Sequence, residues 1–206
     1  MPHPRARPYR QDRRAIAHEK VARRIVDATV RLHARHGTLG TSYAMIADEA
    51  QVAPQTVYNH FPERAALLAA CMGRAGEKAP PLGPECFESR TEPERRLAAL
   101  TEAVYAQHAY YRPWMRWAWR EAPQVPELAA ALDQGRAGLR ELLRRAAAPA
   151  FGRAVPDAFL DLSTALLDYT GWEALTRGRT SPAAAKLAAG GLAALLDRFS
   201  AKGAPR

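Results

Sequence analysis

The sequence is poor in cysteine and has no long apolar run, and both absences exclude classes of protein. Cys71 and Cys86 are the only thiols among 206 residues, too few for a disulfide-stabilised framework. No apolar run approaches the roughly 18 residues that a membrane-spanning helix needs, and no apolar signal core follows the first basic residues. We therefore expect a soluble protein of the cytoplasm.

Motifs of the common enzyme classes are absent as well. The chain has no glycine-rich phosphate loop, no Gly-x-Ser-x-Gly turn, no His-Glu-x-x-His and no paired-cysteine metal site. His33 and His36 have helical spacing, but no carboxylate or cysteine lies beside them in sequence to complete a metal site. The sequence thus predicts no catalytic residue, no cofactor and no bound metal.

No segment alternates apolar and polar residues with the period of a strand, so the fold is predicted to be all-α. The first helix is predicted over residues 19–37. Its apolar residues recur at helical spacing, at Val21, Ile25, Ala28 and Leu32. Prolines near the starts of later segments predict five further helices. These are expected at about residues 92–110, 112–122, 126–148, 156–177 and 182–201.

Positive charge is in excess and is concentrated near the N-terminus. The chain has 30 Lys and Arg against 21 Asp and Glu, a net charge of +9, which favours an acidic polymer as a partner. Residues 1–14 contain five arginines and three prolines without an apolar period, which predicts a flexible basic arm over residues 1–18. Such an arm either aids solubility or contacts DNA, and the DNA candidates in it are Arg10, Arg13 and Arg14.

Between residues 41 and 76 the spacing predicts three short helices. Thr41 or Ser42 can cap the first, Pro54 begins the second, which ends near His60, and Pro62 precedes the third. Prolines in the segment 76–91 then prevent continuous helix, so a domain boundary is expected there. The first two helices have the spacing of a helix-turn-helix unit, whose second helix lies in the DNA major groove.

The second helix of this pair carries polar side chains where a solvated helix has no need of them. Gln55 and Asn59 can pair with adenine, Thr56 can contact a base edge, and Tyr58 and His60 can donate to phosphate. The same residue types are also ordinary surface residues, and Tyr58 could serve packing alone. Together with the basic arm, the pattern favours DNA binding.

Residues 21–72 resemble the DNA-binding region of the TetR family of transcriptional repressors. The resemblance depends on T-S-x-x-x-I-A-x-x-A at 41–50, V-x-x-x-T-V-Y-x-H-F at 52–61 and P-x-R-x-A-L-L at 62–68. It implies a three-helix DNA-binding domain over residues 19–75. It also implies a helical effector-binding domain over residues 76–206 that forms a homodimer through its last two helices.

The resemblance also implies roles for individual residues. Base edges are assigned to Gln55, Thr56 and Asn59, and phosphates to Tyr58, His60, Arg64 and a hydroxyl of Thr41 or Ser42. Gln51 and Ala53 are among the positions that depart from the family pattern. Gln51 stands where glycine is common, at a cost of about 1 kcal/mol in a left-handed conformation, and Ala53 lacks the usual capping hydroxyl, worth about 1 kcal/mol.

Aromatic residues are concentrated in residues 105–120 and suggest an effector pocket, although aromatics are equally core and interface material. The candidate effector contacts are Tyr105, His108, Trp114, Trp117, Asp168 and Trp172. In the last predicted helix, Leu192, Leu195 and Phe199 form a stripe beside Gly190 and Gly191, which predicts close packing of a partner helix.

These observations predict a repressor that a small-molecule effector releases from a palindromic double-stranded operator. Each subunit of the homodimer reads one half of the operator. Alternatives are a transcriptional activator, a regulator of the same fold that needs no ligand, and a redox sensor that uses Cys71 or Cys86.

Overall fold

The structure is a computed structural model that describes residues 7–152 and 154–201, with the side chains of residues 7–12, 14 and 201 left out. In this part of the chain it contains nine α-helices, two short 3-10 turns and no strand, which confirms the all-α prediction. The helices are α1 Arg7–His36, α2 Tyr43–Ala50, α3 Pro54–His60, α4 Arg64–Gly76, α5 Pro93–Glu121, α6 Pro126–Ala147, α7 Asp157–Leu167, α8 Tyr169–Leu175 and α9 Ser181–Ala201.

The chain divides into two compact units. The first comprises Met1–Lys78 with Arg116–Glu127, and the second comprises Ala79–Met115 with Leu128–Arg206. Helix α5 contributes residues to both. Among the described residues, no helix combines the length and the apolar character needed to cross a membrane.

The core of the first unit is built by one face of α1 together with α2, α3 and α4. The apolar stripe predicted for α1 is confirmed, since Ile25, Ala28 and Leu32 are buried and Val21 packs beside them. Alanine and branched aliphatic side chains from the short helices fill the space against this stripe. They include Ile46, Ala47, Ala50, Val57 and Leu67.

The turn between α2 and α3 is held by the backbone. Gln51 adopts the left-handed conformation, with φ of 54°, and the N–H of Val52 donates to Ala47 O at 3.0 Å. The guanidinium of Arg24 donates to the carbonyls of Ala50 and Gln51, so the exposed end of α2 is capped from α1. These contacts offset a conformational cost of about 1 kcal/mol at Gln51.

Helix α1 is longer than the sequence predicted. The expectation of a flexible arm over residues 1–18 is wrong for residues 7–18, which are helical from Arg7; residues 1–6 lie outside the described part. The missing apolar period misled the prediction, because a helix already nucleated on a core extends through arginine, glutamine and alanine without further burial. Pro8 is compatible with this start, since it lies in the first turn.

Helix α5 is one helix where the sequence predicted two. Helix α5 is continuous through Pro113, although separate helices were expected on either side. Both Pro113 and Ala109, whose carbonyl loses its helical partner, are exposed, so water can satisfy that carbonyl.

The predicted helix over residues 156–177 is instead two helices, α7 and α8. Asp168 is extended between them, with ψ of 173°, and its Oδ1 accepts the N–H of Gly171 at 2.8 Å. A Cβ on Gly171 would lie 2.5 Å from Ala165 O, so glycine permits the close approach at this corner. A capping aspartate followed three residues later by glycine was the signal that the apolar periodicity concealed.

The stripe predicted for the dimer partly faces the interior of its own chain. Leu192 is fully buried, and the Phe199 ring packs against Phe159 at a centroid distance of 6.1 Å. The exposed apolar surface of α9 lies one face away, at Leu187, which is 50% exposed, and at Gly190 and Ala194.

Candidate DNA interface

Helix α3 presents a polar face to solvent and an apolar face to the core. Val57 is fully buried, whereas Gln55, Tyr58 and Asn59 are exposed and Thr56 is half-buried. Gln55 Nε2 donates to Asn59 Oδ1 at 3.0 Å. This contact aligns the two amides one turn apart and leaves each with further donors or acceptors for a ligand.

The ring of Tyr58 packs against a residue of α2. Its ring is 51% exposed and packs on the ring of Tyr43 at a centroid distance of 4.6 Å. The Tyr43 hydroxyl in turn donates to Phe61 O at 2.8 Å. Tyr58 therefore has a fixed ring and a hydroxyl in a position that solvent or a phosphate can reach.

His60 ends α3 in a half-buried position. Its ring stacks on His18 of α1, with centroids 4.0 Å apart. Burial, and then the neighbouring His18, lower the pKa of His60. The imidazole is therefore neutral near pH 7 and can offer a phosphate a hydrogen bond rather than a full charge.

Of the two hydroxyls proposed at the start of α2, only Ser42 is at the surface. Its Oγ accepts the N–H of Met45 at 3.2 Å, so its hydroxyl proton stays available to an acceptor. Thr41 is buried and donates to Gly37 O at 2.6 Å. Its side chain therefore holds the loop before α2, and the expectation that its hydroxyl meets a phosphate is wrong.

Arg64 is exposed at the start of α4 and already has a structural role. Its Nη2 donates to Thr41 O at 2.8 Å and to Thr38 O at 3.3 Å. The guanidinium thus fixes the loop before α2, while its remaining N–H groups can still pair with an anion.

The three arginines expected on a flexible arm lie instead on the N-terminal part of α1. Arg13 is exposed there. The side chains of Arg10 and Arg14 lie outside the described part of the structure.

Two further arginines of α1 brace the helix pair and were not predicted. Arg31 and Arg35 both pair with Glu49 of α2, at 2.7 and 2.6 Å, and their hydrogen bonds lower the pKa of Glu49. Their sequence spacing gives no signal of this contact, because the partners are separated by more than ten residues and meet only in the folded unit.

Residues 25–71 match the sequence profile of bacterial regulatory proteins of the tetR family. The matched segment contains the helix-turn-helix pair described above. Residues 25–71 are therefore similar to the DNA-binding region of tetR-family regulators. No curated protein matches the chain.

Solved structures share the fold of this chain over most of its length. A TetR transcription regulator from Haloarcula marismortui ATCC 43049 is 16% identical, with 88% of this chain and 98% of that chain covered and a TM-score of 0.62. A transcriptional regulator from Rhodococcus sp. Rha1 is 20% identical, with 88% and 96% covered and a TM-score of 0.59. At these identities the likeness establishes the fold.

Four of the six candidate effector residues come together in the second unit. The His108 ring lies 5.9 Å from Trp172 and 6.4 Å from Tyr105, measured between centroids. His108 Nε2 lies 2.9 Å from Leu167 O, and the Tyr105 hydroxyl donates to Leu166 O at 3.2 Å. Asp168 caps α8. The polar atoms of this cluster therefore hold the corner between α7 and α8.

The other two candidates have different surroundings. Trp114 packs against the rings of Tyr110 and Tyr111 at 5.9 and 6.3 Å. Trp117 belongs to the first unit, where its Nε1 donates to Ala34 O at 3.2 Å. Trp114 and Trp117 were placed with His108 because all three lie within residues 105–120.

Two buried hydroxyls on α7 were missed by the sequence analysis. Ser163 is fully buried and Thr164 nearly so, and neither side-chain oxygen has a hydrogen-bond partner in the described part of the chain. Buried hydroxyls without partners are rare, so they mark places where a polar ligand atom or water would be stabilised. Two hydroxyl residues on an otherwise apolar helix face were the available signal.

The two thiols are free and poorly suited to redox sensing. Cys71 is buried, and burial raises the pKa of its thiol to about 12. Burial, and then the charge of Glu85, also raise the pKa of Cys86. Since the thiolate is the reactive form, both thiols are expected to react slowly.

Proposed function

We propose that this chain is a cytoplasmic homodimeric repressor that binds a palindromic operator and is released by a small-molecule effector. The observation that carries the proposal is the exposed Gln55–Asn59 pair on α3, opposite a buried Val57. The carboxamide of a single Gln or Asn can bind both N6 and N7 of adenine in the major groove. The tetR-family match of residues 25–71 and the fold shared with the regulators named above support it.

Phosphate contacts are assigned to residues around this face. Ser42, Tyr58 and His60 provide neutral donors, and Arg64 and Arg13 provide charge. Removal of one cationic phosphate contact is expected to reduce the slope of log affinity against log salt concentration by about 0.9.

Dimerisation is assigned to the exposed apolar faces of α7 and α9. Leu162 and Leu187 are each 50% exposed, and Gly190 and Ala194 beside Leu187 permit close helix approach. Leu187→Glu is expected to yield monomers in sedimentation experiments, whereas Leu39→Glu, a change of an equally exposed leucine in the first unit, leaves the dimer intact. An unchanged dimer in Leu187→Glu would contradict the assignment.

The effector is assigned to the second unit, near His108, Trp172 and the unpartnered hydroxyls of Ser163 and Thr164. A hundredfold fall in operator occupancy requires the effector to prefer the released state by about 3 kcal/mol. A small molecule that satisfies two buried hydroxyls and displaces aromatic contacts can supply a preference of this size.

The DNA function is tested by selecting bound sequences from random duplexes and measuring their affinities with substituted proteins. Gln55→Ala and Asn59→Ala should each weaken binding by about 1–3 kcal/mol, with the loss confined to particular base pairs. Gln134→Ala is the matched control, because Gln134 is an exposed glutamine of the second unit. Equal losses on selected and scrambled duplexes would contradict a base-reading role.

A further inference from the structure

The first unit contains a cavity that the DNA-binding role does not explain. It has a volume of about 210 Å³ and lies among the C-terminal part of α1, the loop before α2, the start of α4 and residues 124–127. Leu67, Leu68 and Val125, all buried, provide apolar lining. A cavity of this size holds a small organic molecule rather than a single water.

His33 is a buried titratable group of the cavity lining, with only 8% of its surface exposed. Its Nδ1 lies 3.5 Å from Cys71 Sγ, and Cys71 is not part of the lining. Nε2, on the other edge of the ring, has no hydrogen-bond partner in the described part of the chain and is not sealed from solvent. A ligand atom in the cavity can therefore take the place of water at this nitrogen.

The charged side chains of the cavity lining are one guanidinium, Arg64, and one carboxylate, Glu127. The charge of Arg64 acts on both polar rings of the lining, because it contributes to the lowered pKa of His33 and opposes the rise that burial causes in the pKa of Tyr43. No carboxylate acts on either ring. The Nη1 and Nε hydrogens of Arg64 have no acceptor among the described residues, so they can bind an anionic ligand.

We propose that this cavity is a binding site for a small apolar carboxylate, with His33 and Arg64 holding the carboxylate and Leu67, Leu68 and Val125 enclosing the apolar body. Binding selects the tautomer in which His33 Nε2 carries the proton and the Cys71 thiol donates to Nδ1. The site lies within the DNA-binding unit and differs from the effector cluster assigned above.

The site has a consequence that rests on the proposed DNA function. Arg64 holds the loop before α2 and is a candidate phosphate contact. A carboxylate bound to its guanidinium neutralises that charge, so saturation with the ligand is expected to weaken DNA binding severalfold at constant ionic strength.

The probe for the site is benzoate, which has an apolar ring and one carboxylate. Titration calorimetry on the DNA-free protein is expected to give one site per chain with a Kd of about 1 mM or tighter, the range open to so small a ligand. The 15N signals of the His33 ring should shift on binding. Benzyl alcohol, a neutral molecule of the same shape, should bind at least about tenfold more weakly, since a charge-assisted hydrogen bond is lost.

Two substitutions remove the proposed contacts. His33→Phe keeps the ring volume without Nε2, and Arg64→Gln removes the charge. Each should weaken benzoate about tenfold while circular dichroism shows a folded protein. Benzoate affinity that is unchanged in both would overturn the site.

A third substitution predicts a gain that a folding defect cannot imitate. Glu127 is the acidic side chain of the lining, so Glu127→Gln should tighten benzoate about threefold and leave benzyl alcohol unaffected. Weaker benzoate binding in this variant, or preferred binding of benzylamine by the native protein, would show that the site takes a cation instead.

Because these titrations contain no DNA, failure of operator binding would contradict the proposed function and leave the site intact. Failure of benzoate to bind, with operator binding preserved, would refute the site alone. Operator affinity that ignores saturating benzoate would refute the coupling through Arg64.

Discussion

The two units of the chain hold their candidate functional side chains in opposite ways. In the first, Gln55 and Asn59 are exposed on a short helix whose other face is buried. In the second, Tyr105 and Trp172 are buried, and their polar atoms contact their own chain. The first arrangement can contact a macromolecule without change, whereas a ligand of the second must displace existing contacts.

The difference would allow the two proposed roles, DNA reading and effector binding, to coexist in one chain. A DNA-reading face must be rigid before binding, because ordering it afterwards would cost affinity. A site that drives a switch must change its contacts on binding, because only a difference between two states shifts their populations. The predictions below test how rigidly each unit is held, from the largest expected effect to the smallest.

Gly37→Ala, directly after α1, should strongly destabilise the first unit. Gly37 has φ of 75°, and a Cβ there would lie 2.1 Å from Glu121 Oε1, whose partner oxygen accepts the N–H of Thr38 at 2.7 Å. The strain and the displaced buried carboxylate should lower the free energy of unfolding by about 3–4 kcal/mol. Urea denaturation measures the loss.

The control for this prediction is Gly73→Ala in α4. A Cβ at Gly73 meets no atom within 4 Å, and alanine favours a helix interior over glycine, so this variant should gain up to about 1 kcal/mol. Equal effects of the two substitutions would contradict the account of Gly37.

Acidification should destabilise the first unit through His33. Burial, and then Arg64, lower the pKa of this imidazole from 6.5 to about 4. Between about pH 6.5 and pH 4, His33 is therefore protonated in the unfolded chain but remains neutral in the folded chain. Stability is fully present above pH 6.5 and should decline by about 3 kcal/mol by pH 4.

The measurement is urea unfolding at a series of pH values, for the native protein and for His33→Phe. The variant should lack this part of the pH dependence, whatever its stability at neutral pH. Parallel curves for the two proteins would show that His33 is not the group responsible.

Asp168→Ala should loosen the corner of the second unit. Asp168 Oδ1 caps α8 through Gly171 N and also accepts the hydroxyl of Thr170. Loss of the cap should cost about 1 kcal/mol in thermal or urea unfolding. Asp133→Ala is the matched control, since Asp133 is 80% exposed with a long ion pair, and it should change stability little.

The smallest expected effect is a gain at Gln51. Glycine adopts its left-handed conformation without the side-chain penalty, so Gln51→Gly should stabilise the protein by up to about 1 kcal/mol. Gln134→Gly, in the interior of α6, should instead lose about 1 kcal/mol. A loss in Gln51→Gly would mean that its side chain supports the turn in some way its backbone contacts do not reveal.

The first unit was predictable because its signals are local. Spacing of Ile46, Ala47 and Val57 predicted the helix pair, Pro54 predicted the start of α3, and both unusual positions, Gln51 and Ala53, were placed correctly. A short motif fixes such a unit since its side chains meet within a few turns of one another.

The second unit was less predictable because its contacts are made between distant segments. The apolar spacing continues on both sides of Asp168, so the sequence predicted one helix where the structure has α7 and α8. Proximity in sequence grouped Trp117 with His108, although the structure places Trp117 in the first unit. The buried face of α9 could not be told from its exposed face until its neighbours were known, so Leu192 was assigned to the dimer in error.

The central claim is that the exposed face of α3 reads base edges, and competition binding on duplex DNA tests it most directly. The measurement is the ratio of affinities for the selected palindrome and a scrambled duplex at one salt concentration. The account predicts a preference of about a thousandfold or more, reduced severalfold to tenfold or more by Asn59→Ala and unchanged by Gln134→Ala. Equal affinity of the native protein for both duplexes would contradict it.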